Sequence, residues 1–357
     1  MNGGPEMAPI PPTLGTPRQS RGALDIRGRG PRNGPIVLDG GPEMAPISPN
    51  VRRAPAEPWR VSMTHNPEEE VSVSYDIKVE DVEYIRHAGT PYLARLYRPQ
   101  GTGPFPIMVE LHGGAWCRSD RLADKVIHEP LAKSGVIVAA LDWRQPPAAP
   151  YPASFEDIHY GIRWLKARAS ELGSRPDMIG SMGNSSGGHQ AMLLAMRPTD
   201  SRYAALPLPA GSPAVDASVR CVIMTSPVID PLGRYRYAKD IEAKGKPYPL
   251  AVDELIPCHD AYWKTEAAMD EGCPARALEQ GERAQLPPVL YLQGTEDLAH
   301  PRPQLDRFVA AYRKAGGVVD LELFDGEGQG FIMRKAGSPA SNRAIDMIIE
   351  FVHKQIR

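Results

Sequence analysis

The sequence lacks any long hydrophobic run, and it has no apolar segment near its N-terminus. A membrane-spanning helix needs about 18 or more apolar residues, and a secretion signal needs a shorter apolar core near the start. The formal net charge is only −2 over 357 residues, so no basic surface for nucleic acid or anionic lipid is expected. These absences predict a cytoplasmic protein that acts on small molecules and binds neither nucleic acid nor membrane.

Cysteine is also scarce, and its spacing is uninformative. The chain contains four cysteines and no Cys-x-x-Cys pair, so neither a zinc site nor a disulfide framework is expected. We predict reduced thiols and no metal centre. The four residues are Cys117, Cys221, Cys258 and Cys273.

The first 68 residues have almost no periodic apolar pattern and are rich in Pro, Gly and Arg. Such a segment cannot bury enough apolar surface to offset the entropy cost of ordering, which predicts a disordered tail over residues 1–68. The sequence Gly-Gly-Pro-Glu-Met-Ala-Pro-Ile occurs twice, at 3–10 and 40–47. Two alternatives stay open, a partner-binding segment and a true start near Met63.

From residue 71 onward, segments with strand and helix patterns alternate. The patterns at 71–79, 82–86 and 92–97 predict antiparallel strands. The later alternation predicts an α/β fold, with a mostly parallel central sheet covered by helices on both faces. The later strands are expected at 106–111, 136–141, 221–224, 288–292 and 318–324, and helices near 122–134, after Pro152, and at 303–315 and 341–356.

One insert, about 227–285, breaks this alternation and is rich in Tyr, Trp and charged residues. It predicts a helical cap over a functional site, although ordinary surface helices would give the same pattern. We therefore expect one domain over residues 69–357, with the insert as its cap.

A serine turn follows one of the predicted strands. Gly183-Asn184-Ser185-Ser186-Gly187 has the pattern Gly-x-Ser-x-Gly, after an apolar pair and before a helical run. Small residues allow a sharp strand-to-helix turn that exposes the serine, and the following amide begins a helix, where its N–H can face an oxyanion. The motif predicts Ser185 as a nucleophile, and a Gly/Ser-rich turn is the alternative.

A His-Gly-Gly segment follows another strand. His112-Gly113-Gly114-Ala115-Trp116 comes directly after the strand that ends at Leu111. Glycines in such a turn leave backbone amides accessible, and accessible amides stabilise a tetrahedral oxyanion. The two motifs together are far more specific than either alone.

With these motifs the sequence resembles the α/β-hydrolase fold and, within it, the hormone-sensitive-lipase-like carboxylesterases. Further matches are Leu141-Asp142-Trp143-Arg144-Gln145-Pro146, Tyr151-Pro152-Ala153 and Gln293-Gly294-Thr295-Glu296-Asp297. The resemblance extends from about Val71 to the C-terminus. It implies hydrolysis of small acyl or aryl esters through an acyl-enzyme, which needs no cofactor. A homo-oligomer is left open.

The resemblance also implies roles for individual residues. Ser185 is the nucleophile and Asp297 the acid of a catalytic triad, with Glu296 as the alternative acid. The amides of Gly114, Ala115 and Ser186 form the oxyanion hole, and Gly113 allows its turn. The substrate pocket is expected to be lined by Trp116, Phe331 and aromatic residues of the 227–285 insert.

The position of the family's catalytic histidine is occupied by Gln329. The family has Gly-x-His-Gly-Phe after its last strand, whereas this chain has Gly326-Glu327-Gly328-Gln329-Gly330-Phe331. A carboxamide cannot accept the serine proton near neutral pH. The substitution predicts an impaired esterase.

Two alternatives to impairment remain. His300 lies three residues after Asp297 and could replace the missing base, or it could be a surface histidine. His112 and His189 are expected to be structural. The chain could also bind a ligand without turnover, as the gibberellin receptor does among relatives of these lipases, but the retained Ser185 and Asp297 favour an esterase.

A chain that begins at Met63 is expected to keep the stability and solubility of the full chain, because residues 1–68 are predicted to contribute nothing to the core. Thermal unfolding of the two chains, measured under the same conditions, checks this. A clearly lower melting temperature for the shorter chain would assign the tail a structural role.

Overall fold

Residues 74–357 are described by a computed structural model. The predicted tail, residues 1–68, and the start of the first predicted strand lie outside the described residues. The strands are β1 (Ile77–His87), β2 (Thr90–Pro99), β3 (Ile107–Leu111), β4 (Ile137–Leu141), β5 (Ile179–Asn184), β6 (Val222–Thr225), β7 (Val289–Gly294) and β8 (Val319–Phe324). The helices are α1 (Lys125–Lys133), α2 (Ala153–Ala167), α3 (Ser186–Met196), α4 (Pro231–Lys244), α5 (Val252–Trp263), α6 (Glu266–Glu271), α7 (Pro274–Glu279), α8 (Arg302–Lys314), α9 (Phe331–Arg334) and α10 (Pro339–Gln355).

The eight strands form one sheet in the order β1-β2-β4-β3-β5-β6-β7-β8. The β1–β2 and β2–β4 pairs are antiparallel, and the pairs from β4–β3 to β7–β8 are parallel. This arrangement confirms the predicted α/β-hydrolase fold class. Two predicted strands, 71–79 and 82–86, prove to be parts of one strand, because Asp81 pairs with Arg95 of β2 and continues the ladder.

The sheet separates two apolar layers. Along β3, Ile107, Val109 and Leu111 pack into the layer with α2, α3 and α8, while Met108 packs into the layer with α1 and α10. Side chains of a strand point alternately to opposite faces, so a strand buried on both sides is mostly apolar; in β3 the exception is Glu110, which is 1% exposed. This is why the predicted strands appear as continuous apolar runs.

Helices α3 and α10 differ in how much of their surface is buried. Every residue of α3 is buried, which places this helix inside the protein. Helix α10 is amphipathic, and the Ser338 side chain caps its first turn by accepting from the Ser341 amide. Its apolar stripe, on the side of the sheet that faces α1, consists of Ala344, Ile345, Ile348, Phe351 and Val352.

The predicted insert forms the helices α4 to α7, between β6 and β7. The parallel strands β3, β5, β6, β7 and β8 end at one edge of the sheet, so the loops that follow them meet there. Ligand sites of open α/β sheets occur at this edge. Within residues 74–357, no helix combines the length and the apolar character needed to cross a membrane.

Candidate active site

Ser185 occupies a sharp turn between β5 and α3. Its backbone angles are φ 52° and ψ −116°, in a region that L-residues seldom adopt. Three backbone hydrogen bonds hold it: its amide donates to the Thr225 carbonyl at 3.0 Å, and its carbonyl accepts from Val228 at 3.0 Å and His189 at 3.2 Å. The residue is 4% exposed and lines a cavity at the carboxyl edge of the sheet.

Two glycines allow this turn to pack closely. A Cβ at Gly183 would lie 2.4 Å from the Gly187 carbonyl carbon, and a Cβ at Gly187 would lie 1.9 Å from the Leu111 carbonyl oxygen. Both obstacles are backbone atoms, which cannot move aside as a flexible side chain could. The Gly-x-Ser-x-Gly pattern is therefore needed to bring α3 against β5 and the end of β3.

The His-Gly-Gly segment lies beside the serine. Gly114 and Ala115 line the same cavity as Ser185, and Ala115 has a positive φ of 52°. The Trp116 amide donates to the Ser186 hydroxyl at 3.1 Å, which ties this loop to α3. Among residues 74–357, the amides of Gly114 and Ala115 donate to no protein acceptor, and Ser186 begins a helix, where its amide has no intrahelical partner.

Asp297 and His300 lie together on the loop after β7. His300 Nδ1 lies 2.9 Å from Asp297 Oδ2, and His300 Nε2 lies 3.3 Å from Ser185 Oγ. Asp297 Oδ1 accepts the backbone amides of Ala299 at 3.0 Å and His300 at 3.1 Å. An ionised carboxylate can only accept, so Nδ1 carries the proton and the lone pair of Nε2 faces the serine hydroxyl.

The protonation states suit this arrangement. Burial lowers the pKa of His300 and the neighbouring Asp297 raises it; burial dominates, so the pKa lies below its ordinary value of 6.5. Burial raises the pKa of Asp297, but His300 and the hydrogen bonds outweigh it, and the net pKa lies below 3.8. At neutral pH the pair is a neutral imidazole oriented by a carboxylate.

Gln329 lies on the loop between β8 and α9 and lines the same cavity. In the described part of the chain, no hydrogen bond joins its side chain to Ser185 or Asp297. Glu296, the alternative acid, is exposed at the cavity, and the carboxylate that contacts the imidazole belongs to Asp297. The structure thus brings Ser185 together with His300 and Asp297, and places Gln329 beside them.

The two histidines expected to be structural are both buried. His112 stacks on Trp143 with ring centroids 3.8 Å apart, and burial lowers the pKa of His112 to about 4. His189 Nε2 bonds to the Gly272 carbonyl at 2.7 Å, and burial lowers its pKa to about 4. Neither lines the cavity beside Ser185.

The cavity has a volume of about 540 Å³ and a more polar wall than the sequence suggested. The predicted lining residues Trp116 and Phe331 are 1% and 2% exposed and belong to the core. Trp116 stacks on Tyr262 and Phe331 packs against Phe324. The insert contributes Arg234, Pro249, Leu250, Ala251, Glu254 and Leu255 instead, and Arg118, Leu298 and Arg334 complete much of the wall.

Sequence reasoning did not single out Arg234, which lies on α4 and lines the cavity. It also treated His300 as an alternative only, although its spacing from Asp297 was a usable signal. A histidine three residues after a carboxylate, in the turn after a parallel strand, can fold back onto that carboxylate.

Comparisons with known proteins agree with the fold. A family profile described as "alpha/beta hydrolase fold" matches residues 108–333, which is more than half of the chain. The chain is similar to "Probable carboxylic ester hydrolase LipM" of Mycobacterium tuberculosis, with 32% identity over 126 residues, covering 34% of this chain and 29% of the relative. It is also similar to the versiconal hemiacetal acetate esterase of Dothistroma septosporum, with 32% identity over 126 residues, covering 35% and 36%.

The chain spans about a third of the length of these curated relatives, from 29% to 36%. Among solved structures, EstE1, a thermophilic carboxylesterase cloned from a metagenomic library, matches with a TM-score of 0.64. That match has 22% identity and covers 80% of this chain and 92% of EstE1. It shows a shared fold.

Gly187→Ala is expected to lower the free energy of unfolding by about 3 kcal/mol or more, because the new methyl group would overlap the backbone at Leu111. Urea unfolding measures the change. The control is Gly328→Ala, where the nearest atom to a new Cβ is 3.8 Å away. Equal stability of the Gly187 and Gly328 variants would contradict the close packing described for α3.

Proposed function

Because the chain belongs to the α/β-hydrolase family, in its hormone-sensitive-lipase-like group, we propose that it is a serine carboxylesterase whose general base is His300. The observation that carries the proposal is the continuous line of contacts from Ser185 Oγ to His300 Nε2, at 3.3 Å, and from His300 Nδ1 to Asp297, at 2.9 Å. The separation of 3.3 Å is long for a hydrogen bond to a hydroxyl, as is common in ligand-free catalytic sites.

In the proposed mechanism His300 Nε2 accepts the proton of Ser185 Oγ as the oxygen attacks the ester carbonyl carbon. The carbonyl oxygen becomes an oxyanion and accepts hydrogen bonds from the amides of the Gly114–Ala115 turn and Ser186. His300 then donates its proton to the leaving alkoxide, which gives an alcohol and an acyl-enzyme. Water, activated by the same imidazole, releases the carboxylic acid and restores the serine.

Asp297 has a positioning role in this proposal. Its carboxylate holds the proton of His300 on Nδ1 and stabilises the imidazolium that forms during each proton transfer. With the base supplied by His300, Gln329 has no proton to carry, and impaired turnover no longer follows from its presence. We therefore propose a competent esterase. The alternative, ligand binding without turnover, is distinguished from it by the kinetic test below.

The proposed substrates are esters with small acyl or aryl groups. A cavity of about 540 Å³ is within the roughly 300–1,000 Å³ typical of small-molecule sites. The reaction needs no cofactor, because the nucleophile, the base and the oxyanion donors all belong to the chain.

Ser185→Ala and His300→Ala are each expected to lower kcat for p-nitrophenyl butyrate by about 10⁴-fold or more, because either change removes the activated nucleophile. Gln329→His is expected to give no large gain. The control is His353→Ala, which removes an exposed histidine of α10. Steady-state hydrolysis by folded variants is the measurement.

Two outcomes would contradict this assignment. Full activity of His300→Ala would remove His300 from the mechanism, and a large gain in Gln329→His would restore the hypothesis of an impaired enzyme. An absence of ester turnover in every variant, including the unmodified chain, would favour ligand binding without catalysis.

The pH dependence of kcat/KM is expected to show an acid limb with a midpoint below 6.5, because burial lowers the pKa of His300. Below that pKa the imidazole is protonated and cannot accept the serine proton, so activity falls with falling pH. Asp297→Asn removes the group that raises this pKa, and should move the limb to lower pH as well as reduce the rate. A midpoint above 7 in the unmodified chain, or a shift to higher pH in the variant, would refute the assignment.

A further inference from the structure

Arg234 is a buried arginine in the wall of the proposed active site. It lies in the first turns of α4, is 2% exposed, and lines the cavity together with Ser185 and Ala115. Its Nε donates to the Ala299 carbonyl at 3.0 Å. Among residues 74–357, its terminal nitrogens have no hydrogen-bond acceptor and no carboxylate within ion-pairing distance, and Nη1 is fully buried without a partner.

Another buried arginine shows how this protein satisfies such a group when its role is structural. Arg197 is 8% exposed, and all three of its guanidinium nitrogens reach carboxylates. Its Nε and Nη2 each lie 2.6 Å from Glu282, and its Nη1 lies 2.6 Å from Glu271. Arg234 is more deeply buried, at 2% exposed, and has no carboxylate partner in the part of the chain that the structure describes.

The charge on Arg234 persists in the folded protein. Burial lowers its pKa to about 10, so the guanidinium stays protonated at neutral pH. Asp297 is close enough to raise that pKa, but its oxygens already accept from His300 and from two loop amides. Nε donates to Ala299, but a buried guanidinium whose terminal nitrogens lack acceptors is costly, which favours a partner supplied from outside the chain.

The other charged residues at the cavity are weaker candidates for binding a charged ligand. Arg118 is half exposed and pairs with Glu254, and Arg334 and Glu296 are exposed to solvent. Water hydrates and screens such groups, so they contribute little to recognition. Arg234 is enclosed, and the planar fork of a guanidinium fits a carboxylate through two parallel hydrogen bonds.

We propose that Arg234 binds a carboxylate carried by the substrate, so that the preferred esters are anionic. This inference rests on the proposed esterase function and specifies its substrate class. The carboxylate could belong to the acyl part, as in a half-ester of a dicarboxylic acid, or to the alcohol part, as in an ester of a hydroxybenzoate. Both place a negative charge a few bonds from the carbonyl that Ser185 attacks.

The test compares matched charged and neutral esters. On the acyl side, mono-p-nitrophenyl glutarate is compared with p-nitrophenyl pentanoate; on the alcohol side, p-acetoxybenzoate is compared with its methyl ester. The assays are run at about pH 8. Replacing Arg234 removes a charge that lowers the pKa of His300, and at this pH the imidazole stays neutral in every variant. The charged ester of at least one pair should have a kcat/KM about tenfold or more above its neutral partner, the scale of a charged hydrogen bond.

Arg234→Met should lower that charged-to-neutral ratio by about tenfold or more, and Arg234→Lys should retain part of it, since the charge remains without the fork. Arg343→Met on α10 is the control: it changes the net charge equally, does not line the cavity, and should leave the ratio within about twofold. If Arg234→Met lowers kcat/KM equally for the charged and the neutral ester of a pair, Arg234 has a structural role and the inference is overturned.

A binding measurement separates this inference from the esterase proposal. Ser185→Ala cannot turn over, so calorimetry with monomethyl glutarate reports affinity alone. Binding that is lost in Ser185→Ala/Arg234→Met supports the carboxylate site even if no ester is hydrolysed. If esters are hydrolysed but neutral partners are preferred in both pairs, and monomethyl glutarate does not bind Ser185→Ala, the carboxylate site is refuted while the esterase function stands.

Discussion

The close contact between α3 and the end of β3 is the constraint on which the candidate site depends. Gly187 lies so near the Leu111 carbonyl that no side chain fits between them. Strand β3 continues directly into the His112-Gly113-Gly114 segment, so the same contact sets the distance between Ser185 and the proposed oxyanion donors. The hydrogen bond from the Trp116 amide to the Ser186 hydroxyl is a second connection between the His-Gly-Gly segment and α3. The unusual backbone at Ser185 persists because three hydrogen bonds and this packing hold it.

A second feature is that one loop carries both the proposed acid, Asp297, and the proposed base, His300. Asp297 and His300 are three residues apart, and Asp297 accepts amides from its own loop, so the carboxylate and imidazole are oriented by a local turn. The loop after β8, where the family has its histidine, supports this turn through its backbone, because the Glu296 amide donates to the Glu327 carbonyl at 2.9 Å. Gly328 and Gln329 of that loop form part of the cavity wall.

The fold was predictable from the sequence because each layer leaves a periodic signal. Strands buried on both faces gave continuous apolar runs, α10 gave an amphipathic stripe, and the two glycine motifs marked turns at the carboxyl edge of the sheet. The strand β1 was divided in error because Glu80 and Asp81 interrupt its apolar pattern, and only the ladder with β2 shows that Asp81 pairs with Arg95.

The candidate site was less predictable, because burial is a property of the whole fold. Whether His300 lies at the surface or against Ser185 depends on the direction of a turn and on what covers it. An aromatic residue near a motif gives no signal that separates core from cavity, so Trp116 and Phe331 were placed in the pocket although both pack in the interior. The buried charge in the cavity wall, Arg234, comes from helix α4 of the insert, and no local sequence pattern encodes the contact of that helix with the loop after β7.

If Arg234 binds the substrate as proposed, that contact couples substrate recognition to the proposed base. Arg234 Nε is bonded to the carbonyl of Ala299, next to His300, and the positive charge of Arg234 lowers the pKa of the imidazole. A carboxylate held by the guanidinium would offset that charge and raise the proton affinity of His300 while the substrate is bound. The base would then be neutral in the free protein, ready to accept a proton, and a stronger acceptor once an anionic ester is in place. Neutral esters would gain neither the ion pair nor the stronger base, so discrimination between the two classes would exceed what the ion pair alone contributes.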